Sequence, residues 1–152
     1  MPALLSMSVI SFVNEREYTA GEVYALCAAV TAAGGTMPFR AAGVSMSPAL
    51  PDGTVVLLGP VPRVPPLGAV VLASFGQRTV LHRVLWRWRG RALLAGDANP
   101  HLDGWIGPDQ LAGMVVEWSA AGRQVRERWW RRWMAVLVAV ARRAGRWFLS
   151  HR

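Results

Sequence analysis

Apolar positions near the start of the chain follow a helical spacing. Four of them recur at i, i+3, i+4 and i+7 on one helix face: Val23, Leu26, Cys27 and Val30. Thr19 fits an N-cap because Glu22 follows at the spacing of a capping box. The glycines at 34 and 35 then end the segment, since glycine stops helices. The pattern predicts a helix over Thr19–Ala33.

From residue 36 to about residue 118 the pattern changes to short apolar runs separated by turn residues, which is typical of a compact, mostly β domain. Five runs are predicted as strands: Thr54–Leu58, Ala69–Ser74, Thr79–Trp88, Ala92–Ala95 and Met114–Trp118. Alternation around Arg83, Arg87 and Arg89 predicts that these arginines lie on a partly solvated face of the sheet.

The last 32 residues return to a helical pattern. At about 100° per residue, six arginines fall within one arc of about 120°: Arg128, Arg131, Arg132, Arg142, Arg143 and Arg146. The opposite side is apolar: Trp130, Trp133, Leu137, Val140, Ala144 and Phe148. Such a helix either lies on anionic lipid with its apolar side inserted, or packs on its own domain with its arginines in solvent. The pattern favours neither alternative.

Length and charge divide the chain. Its 152 residues suit one domain of ordinary size. Residues 1–120 carry eight arginines and eight acids, whereas residues 121–152 carry nine arginines and one acid, so the net charge of +8 belongs to the tail. We therefore expect an N-terminal segment and helix (1–35), a catalytic-type domain (36–120) and a basic amphipathic tail helix (121–152).

No apolar run reaches the ~20 residues of a membrane span, and the start lacks the basic residues of a secretory signal.

Composition also excludes several kinds of site. The single cysteine, Cys27, rules out an internal disulfide framework and a cysteine-rich zinc site. Three well-separated histidines argue against a histidine metal site, and no cofactor is predicted. All 17 basic residues are arginines, so no lysine is present to act as a base.

Three polar clusters are candidates for chemistry. The first places Ser45 in a turn bounded by Gly43 and Gly53, where a serine hydroxyl is exposed and backbone N–H groups can face an oxyanion. The second is His82 within an apolar, strand-like run. The third is the polar segment 96–104, with two aspartates six residues apart: Asp97 and Asp103. Each cluster taken singly has an ordinary structural explanation, such as an Asx turn for an aspartate.

Taken together, the three clusters resemble the signal peptidase I clan of serine endopeptidases, which includes the LexA-type self-cleaving repressors. The boxes that carry the resemblance are Gly-x-Ser-Met-x-Pro-x-Leu-x-x-Gly, then His-Arg, then Gly-Asp-x-Asn followed by a second Asp. The resemblance covers Phe39 to Val116. It implies a mainly β, partly open barrel with an added N-terminal helix and C-terminal amphipathic helix.

The resemblance also implies roles for single residues. Ser45 matches the nucleophile, and His82 stands where one branch of the clan has histidine and the other has lysine. Asp103 matches the acid that orients the histidine, and Asp97 matches the Gly-Asp carboxylate that this branch also needs. The chain resembles small stand-alone bacterial members, and the implied reaction is cleavage of a leader or signal peptide beside small residues. An imidazole, whose ordinary pKa is ~6.5, suits the role of a general base at neutral pH.

Some positions depart from the family pattern. Gly43 stands where many relatives have a serine whose hydroxyl helps to form the oxyanion hole. These departures leave an alternative open, a catalytically inactive relative that binds peptides at a membrane surface. Residues 128–149 are the candidate membrane contact, and the expected localisation is cytoplasmic or peripheral membrane. Nucleic-acid binding is disfavoured because phosphate readers rarely segregate a Trp/Leu face so cleanly.

Overall fold

A computed structural model describes residues 10–11, 17–120, 123–126 and 129–150, and within them the chain is mainly β. The strands are β1 (Ile10–Ser11), β2 (Glu17–Tyr18), β3 (Met37–Arg40), β4 (Val55–Gly59), β5 (Val70–Phe75), β6 (Arg78–Trp88), β7 (Arg91–Ala95), β8 (Gly104–Ile106), β9 (Leu111–Ala120) and β10 (Arg123–Arg126). The helices are α1 (Ala20–Ala32) and α2 (Trp129–Ser150), and a 3₁₀ turn over Pro108–Gln110 precedes β9.

Strands β3 to β10 form one antiparallel sheet that curls into a half-barrel. Its order is β3-β4-β9-β5-β6-β7-β8, and β10 pairs with β9 outside this path. The pairing registers shift at three places: Leu57/Leu58, Leu72/Ala73 and Val84/Trp86. Such irregularities increase the local twist of a sheet, which favours curling.

Strand β5 lies in the middle of this order and is covered on both faces. Val70 and Leu72 belong to one buried cluster, and Val71 and Ala73 belong to another. Because successive side chains of a strand point to opposite faces, a continuous apolar run is what a doubly covered strand requires. Each valine or leucine side chain contributes ~1.5–3 kcal/mol when it is fully buried.

Helix α1 confirms the predicted helix and its cap, with one change in the buried face. The Thr19 hydroxyl accepts a hydrogen bond from the Glu22 N–H (3.3 Å), and the Glu22 carboxylate accepts one from the Thr19 N–H (2.8 Å). The buried residues form an i, i+4, i+8 row: Val23, Cys27 and Thr31. Leu26, which shares the predicted apolar face with Val23 and Cys27, is 42% exposed and lies outside this buried row. The helix rests on β9 along that single row, and the Thr31 hydroxyl donates to the Ala112 carbonyl (2.5 Å).

All five predicted strands are present, as β4, β5, β6, β7 and β9. Sequence analysis missed β3, which carries Pro38, a residue that strands accept mainly at a sheet edge. It also missed the very short β1, β2 and β8. The expectation that residues 121–152 are helical throughout is wrong, because Arg123–Arg126 pair with β9 as a strand. The helix begins at Trp129.

Helix α2 contacts its own domain, but through the side that the sequence predicted to be basic. Ala139 is buried against Leu85 and Ala95. The apolar side is open where it is described, with Leu137 61% and Val140 52% exposed. Predictions for six further side chains lie outside the described ones: Arg128, Trp130, Arg131, Arg132, Trp133 and Phe148. Within the described chain, neither helix has the length and hydropathy needed to cross a bilayer.

Candidate active site

The loop between β3 and β4 carries Ser45 on a tight turn, as its sequence predicts. The Ser47 N–H donates to the Val44 carbonyl (3.0 Å), and the Leu50 N–H donates to the Met46 carbonyl (2.9 Å). Met46 and Leu50 are buried, so the turn is fixed to the core by its own side chains. Ser45, directly before Met46, remains half-buried.

Two hydrogen bonds outside the turn fix its position. On one side, the Gly43 N–H donates to the Asp52 carboxylate (2.8 Å). Gly43 has a φ of +93°. Residues with a side chain are strained in this conformation and glycine is not, which accounts for glycine at this position. On the other side, the Ala98 N–H donates to the Ser45 carbonyl (2.8 Å). The serine is therefore tied to the 96–103 loop.

The imidazole of His82 lies between Ser45 and Asp103. His82 is opposite Val71 in the pairing of β5 with β6, and it is only 4% exposed. Its Nε2 lies 3.0 Å from Ser45 Oγ, and its Nδ1 lies 2.5 Å from Asp103 Oδ2. A carboxylate at Nδ1 favours the neutral tautomer with its proton on that nitrogen. The lone pair on Nε2 then faces the serine hydroxyl.

Asp103 comes directly before β8 and is fixed at its backbone and at both carboxylate oxygens. Its N–H donates to the Leu94 carbonyl in β7 (2.8 Å). Its Oδ1 accepts a hydrogen bond from Arg78 Nη2 (3.2 Å), and its Oδ2 faces His82. A buried carboxylate needs such partners, because an isolated buried charge is costly. Sequence analysis missed Arg78, since it lies 25 residues from Asp103 in sequence and no local spacing links the two.

Asp97 lies on the same loop, and its hydrogen bonds go to Arg83. The guanidinium binds the carboxylate through Nε and Nη2, both at 2.8 Å, and its Nη1 donates to the Gly68 carbonyl (2.7 Å). Arg83 is 4% exposed, so its predicted place on a solvated sheet face is wrong. The reason is that β6 is covered on both faces here, and a buried guanidinium needs a buried partner. Arg87 and Arg89 are exposed, as predicted.

Gly96 begins the loop at the closest approach of three segments. A Cβ at this position would lie 2.8 Å from the Ser45 carbonyl oxygen, 2.8 Å from Asn99 Nδ2 and 3.0 Å from His82 Nε2. Cβ atoms almost never make contacts this short, so any larger residue would displace the serine turn or the imidazole. Glycine here permits the short distance between Ser45 and His82.

A small pocket of about 20 Å³ opens beside Ser45. It is lined by Phe39, Ala41, Ala42, Gly43, Ser45, Met46, Leu50 and Leu81. Such a volume holds about one water molecule, so a side chain the size of a methyl group fits. A larger groove of about 230 Å³ lies between the serine turn and α2, with Pro48 and Ala49 on one wall and Met134 and Val138 on the other.

Arg143 of α2 supports the 96–103 loop. Its Nη2 donates to the carbonyls of Gly96 (2.8 Å) and Asn99 (3.2 Å). Its Nε is buried and has no hydrogen-bond partner among the described residues. Burial is the main cause that lowers the pKa of Arg143, and the neighbouring charge of Arg146 lowers it further. The carboxylates of Asp97 and Asp103 act in the opposite direction and raise it. Sequence analysis placed Arg143 only in the basic arc of a helix, because no spacing signal links it to residues 96–99.

Other groups lie apart from this cluster. His101 is exposed. Cys27 is buried under β9, and burial raises its pKa to about 11. In the described part of the chain, no group of three or more His, Cys, Asp and Glu side chains is placed to bind a metal ion.

Comparison of the chain with protein-family models, with curated proteins and with solved structures gives no match. What the site can do therefore follows from its own geometry. A hydroxyl, an imidazole and a carboxylate form one hydrogen-bonded line beside a pocket for a small side chain.

Proposed function

We propose that this protein is a serine endopeptidase in which Ser45 is the nucleophile, His82 the general base and Asp103 the carboxylate that orients the imidazole. The observation that carries the proposal is the line of two hydrogen bonds, Ser45 Oγ to His82 Nε2 at 3.0 Å and His82 Nδ1 to Asp103 Oδ2 at 2.5 Å. Acyl transfer by serine needs these groups in this order.

In the acylation step, Ser45 Oγ attacks the carbonyl carbon of the peptide bond while its proton moves to His82 Nε2. The carbonyl π electrons move to oxygen and give a tetrahedral oxyanion. When this intermediate collapses, the C–N bond breaks and the imidazolium gives its proton to the leaving amine. Water, deprotonated by the same nitrogen, then hydrolyses the acyl-enzyme and restores the serine hydroxyl.

Asp103 acts through His82 rather than on the substrate. Its carboxylate keeps the proton on Nδ1 and stabilises the imidazolium that forms in each half-reaction. Arg78 binds the other carboxylate oxygen at 3.2 Å, which restricts rotation of the carboxylate. Asp97 and Arg83 position the loop that contains Asp103, since they join it to β6 one residue beyond His82.

The backbone N–H of Ser45 is the donor available to the oxyanion. Among the described residues it donates to no protein acceptor, whereas the Gly43 N–H is already bound to Asp52. Gly43 also has no hydroxyl to contribute. The loss of one oxyanion donor costs ~3 kcal/mol of transition-state stabilisation, so we expect slow turnover.

The substrate we propose is a leader or signal segment cut beside a small residue. The pocket next to Ser45 has about 20 Å³ and mostly apolar walls, which suits an alanine side chain on the acyl side of the cut bond. The curled, mainly β sheet fits the partly open barrel of the signal peptidase I clan. A histidine base in a chain without lysine fits the histidine branch of that clan.

The first prediction tests this mechanism with a mixture of leader-type peptides that vary in the residue before the cut, with cleavage followed by mass spectrometry. Ser45→Ala and His82→Ala should each lower kcat by at least about 10³-fold, because each removes a participant in proton transfer. Ser47→Ala changes another serine of the same turn that touches neither His82 nor Asp103, and it should keep wild-type turnover. Wild-type turnover in either triad variant would exclude the mechanism.

A catalytically inactive relative that binds peptides is the second candidate, and the commitment of the Gly43 N–H to Asp52 favours it. A fluorophosphonate probe separates the two, since it acylates an activated serine without needing the true substrate. Labelling of Ser45 that is lost in His82→Ala supports the peptidase. An unlabelled Ser45 in folded protein that still binds an alanine-containing leader peptide supports the binding module.

A further inference from the structure

The groove of about 230 Å³ between the serine turn and α2 has one wall on each of these elements. Pro48 and Ala49 form the wall on the turn. The wall on α2 contains a row at i, i+4 and i+8, made of Met134, Val138 and Arg142. Eight residues of helix rise about 12 Å, and an extended chain rises about 3.3 Å per residue. The row therefore matches about four residues of an extended peptide.

The groove and the small pocket beside Ser45 share no lining residue, although both use the serine turn. The small pocket takes its other walls from Phe39 of β3 and Leu81 of β6, whereas the groove takes its other wall from α2. Asp97 lines the groove directly before Ala98, whose N–H is bound to the Ser45 carbonyl. A peptide that fills both sites therefore passes Ser45. With the small residue before the cut in the pocket, the groove is left for the residues after the cut.

The groove carries an unpaired positive charge. It is apolar at Met134 and Val138, and Arg142 is exposed at its end. Among the described residues, the Arg142 guanidinium makes no hydrogen bond or ion pair. Asp97 is the one carboxylate in the described lining, and both of its oxygens are already bound by Arg83 at 2.8 Å. The groove thus complements a segment that has an apolar side chain and a carboxylate.

We propose that this groove binds the part of the substrate that follows the cut bond, with an apolar side chain against Met134 and Val138 and a carboxylate at Arg142. Arg142 lies at the end of the row nearest the cut, since its neighbour Arg143 binds the Gly96 carbonyl. Arg142 therefore determines specificity, because it favours peptides with Asp or Glu shortly after the cut. The proposal rests on the proposed peptidase function, since it names the substrate of that same site.

The second prediction is measured with peptides that have alanine before the cut and Glu, Gln or Lys at one of the four positions after it. At the best position, the wild type should show a kcat/KM at least about fivefold higher for Glu than for Lys, with Gln between them. Arg142→Glu should reverse this order. Arg63→Glu changes an exposed arginine that does not line the groove, and it should keep the wild-type order. Added salt should reduce the preference, because exposed charges are screened.

A matched pair of variants tests the apolar end of the groove. Val138→Ser removes an apolar contact and should lower kcat/KM at least about threefold for a peptide with leucine after the cut. Leu137→Ser changes the neighbouring residue, which is more exposed (61% against 42%) and does not line the groove, and it should leave kcat/KM unchanged. Both side chains are exposed, so both variants should unfold near the wild-type temperature.

Four results would overturn the proposal while the peptides are still cleaved, so that the peptidase function stands. They are equal kcat/KM for Glu and Lys at all four positions in the wild type, an unchanged order in Arg142→Glu, an equal reversal in Arg63→Glu, and a preference that occurs only when the charged residue lies before the cut.

A failure of the peptidase function gives a different result, in which no peptide is cleaved and a fluorophosphonate does not label Ser45. The groove is then tested by the affinity of the full chain for the same peptides, measured by fluorescence anisotropy. Tighter binding of the Glu peptides that is reversed in Arg142→Glu supports the groove as a binding site for acidic peptides. Equal binding of the Glu and Lys peptides overturns it.

Discussion

Gly96 lies against the Ser45 carbonyl and the His82 imidazole with no room for a side chain. Hydrogen bonds restrict movement of the surrounding backbone. The Ala98 N–H holds the Ser45 carbonyl at 2.8 Å, and Arg143 holds the Gly96 carbonyl at 2.8 Å. The distance between Ser45 Oγ and His82 Nε2 therefore depends on a residue that has no side chain of its own.

The third prediction is that Gly96→Ala lowers kcat/KM at least about 100-fold, because a shift of ~1 Å in reacting groups has an effect of that size. Overpacking should also lower the free energy of unfolding by ~1–3 kcal/mol. Gly21→Ala is the control, since Gly21 lies in α1 with no atom near its Cβ position, and it should keep activity and gain ~0.5–1 kcal/mol. Peptide turnover and urea unfolding measure both effects. Wild-type activity in Gly96→Ala would contradict this prediction, because the site would then tolerate a larger distance between Ser45 and His82.

The fourth prediction concerns the buried thiol of Cys27, whose pKa is raised to about 11 because burial disfavours the thiolate. In the unfolded chain the thiol has a pKa of ~8.5. Between these values the unfolded state loses a proton that the folded state keeps, so the free energy of unfolding should fall as pH rises from about 9 to about 11. Urea unfolding across this range measures the decline.

Cys27→Ala isolates this contribution. The pKa of Tyr24 is also raised, mainly by burial, and its titration acts in the same direction in both proteins. The decline with pH should therefore be shallower in Cys27→Ala than in the wild type. Equal declines in the two proteins would show that the thiol does not contribute.

At the scale of elements, one strand and one loop together organise the candidate site. Consecutive residues of β6, His82 and Arg83, point to opposite faces of the sheet. Two aspartates of the 96–103 loop meet them separately: Asp103 binds His82, and Asp97 binds Arg83. This pairing gives a physical reason for the six-residue spacing of Asp97 and Asp103, because one loop must reach both faces of one strand.

The fifth prediction concerns Arg143, which we treat as a positioning residue because it touches the loop and not the reacting atoms. Arg143→Ala should lower kcat about 10- to 100-fold with little change in KM, because the loop that orients Ser45 loses its support. Arg143→Lys should recover part of kcat, since an ammonium group can bind one carbonyl but lacks the planar fork. Arg146→Ala removes an exposed arginine one turn further on and should leave kcat unchanged.

Steady-state kinetics with a peptide substrate, in the absence of lipid, separates kcat from KM for these variants. If Arg143 only stabilised the fold, Arg143→Ala would lower the unfolding temperature and the amount of active enzyme, and Arg143→Lys would not restore kcat. Equal kcat in Arg143→Ala and Arg146→Ala would contradict the positioning role.

At the scale of the molecule, the curl of the sheet brings the candidate site together. Strands β3 and β6 are separated by three strands in the sheet order, yet Phe39 of β3 and Leu81 of β6 belong to the same buried cluster. Met46 and Leu50 of the serine turn belong to it as well. The turn that carries Ser45 is therefore packed against the strand that carries His82, although 37 residues separate the two in sequence.

Local signals account for the parts of the structure that could be predicted. The capping box at Thr19 and the run over Val70–Ala73 depend on neighbours in sequence, so α1 and β5 follow from pattern alone. The same reasoning failed for Arg83, because burial of its guanidinium depends on Asp97 in another segment. It failed for Arg123–Arg126, because strand pairing with β9 overrides helical spacing.

The amino-acid sequence alone determined which groups are available for chemistry: a serine in a glycine-bounded turn, a histidine in a strand, two aspartates in one loop and no lysine. It also determined that the excess charge lies in the tail. Only the tertiary structure decided that Ser45, His82 and Asp103 meet, that Arg143 supports the loop between them, and that α2 turns its apolar face outward. The reason is that backbone propensity and spacing act over a few residues, whereas contact between distant segments depends on how the whole sheet curls and packs.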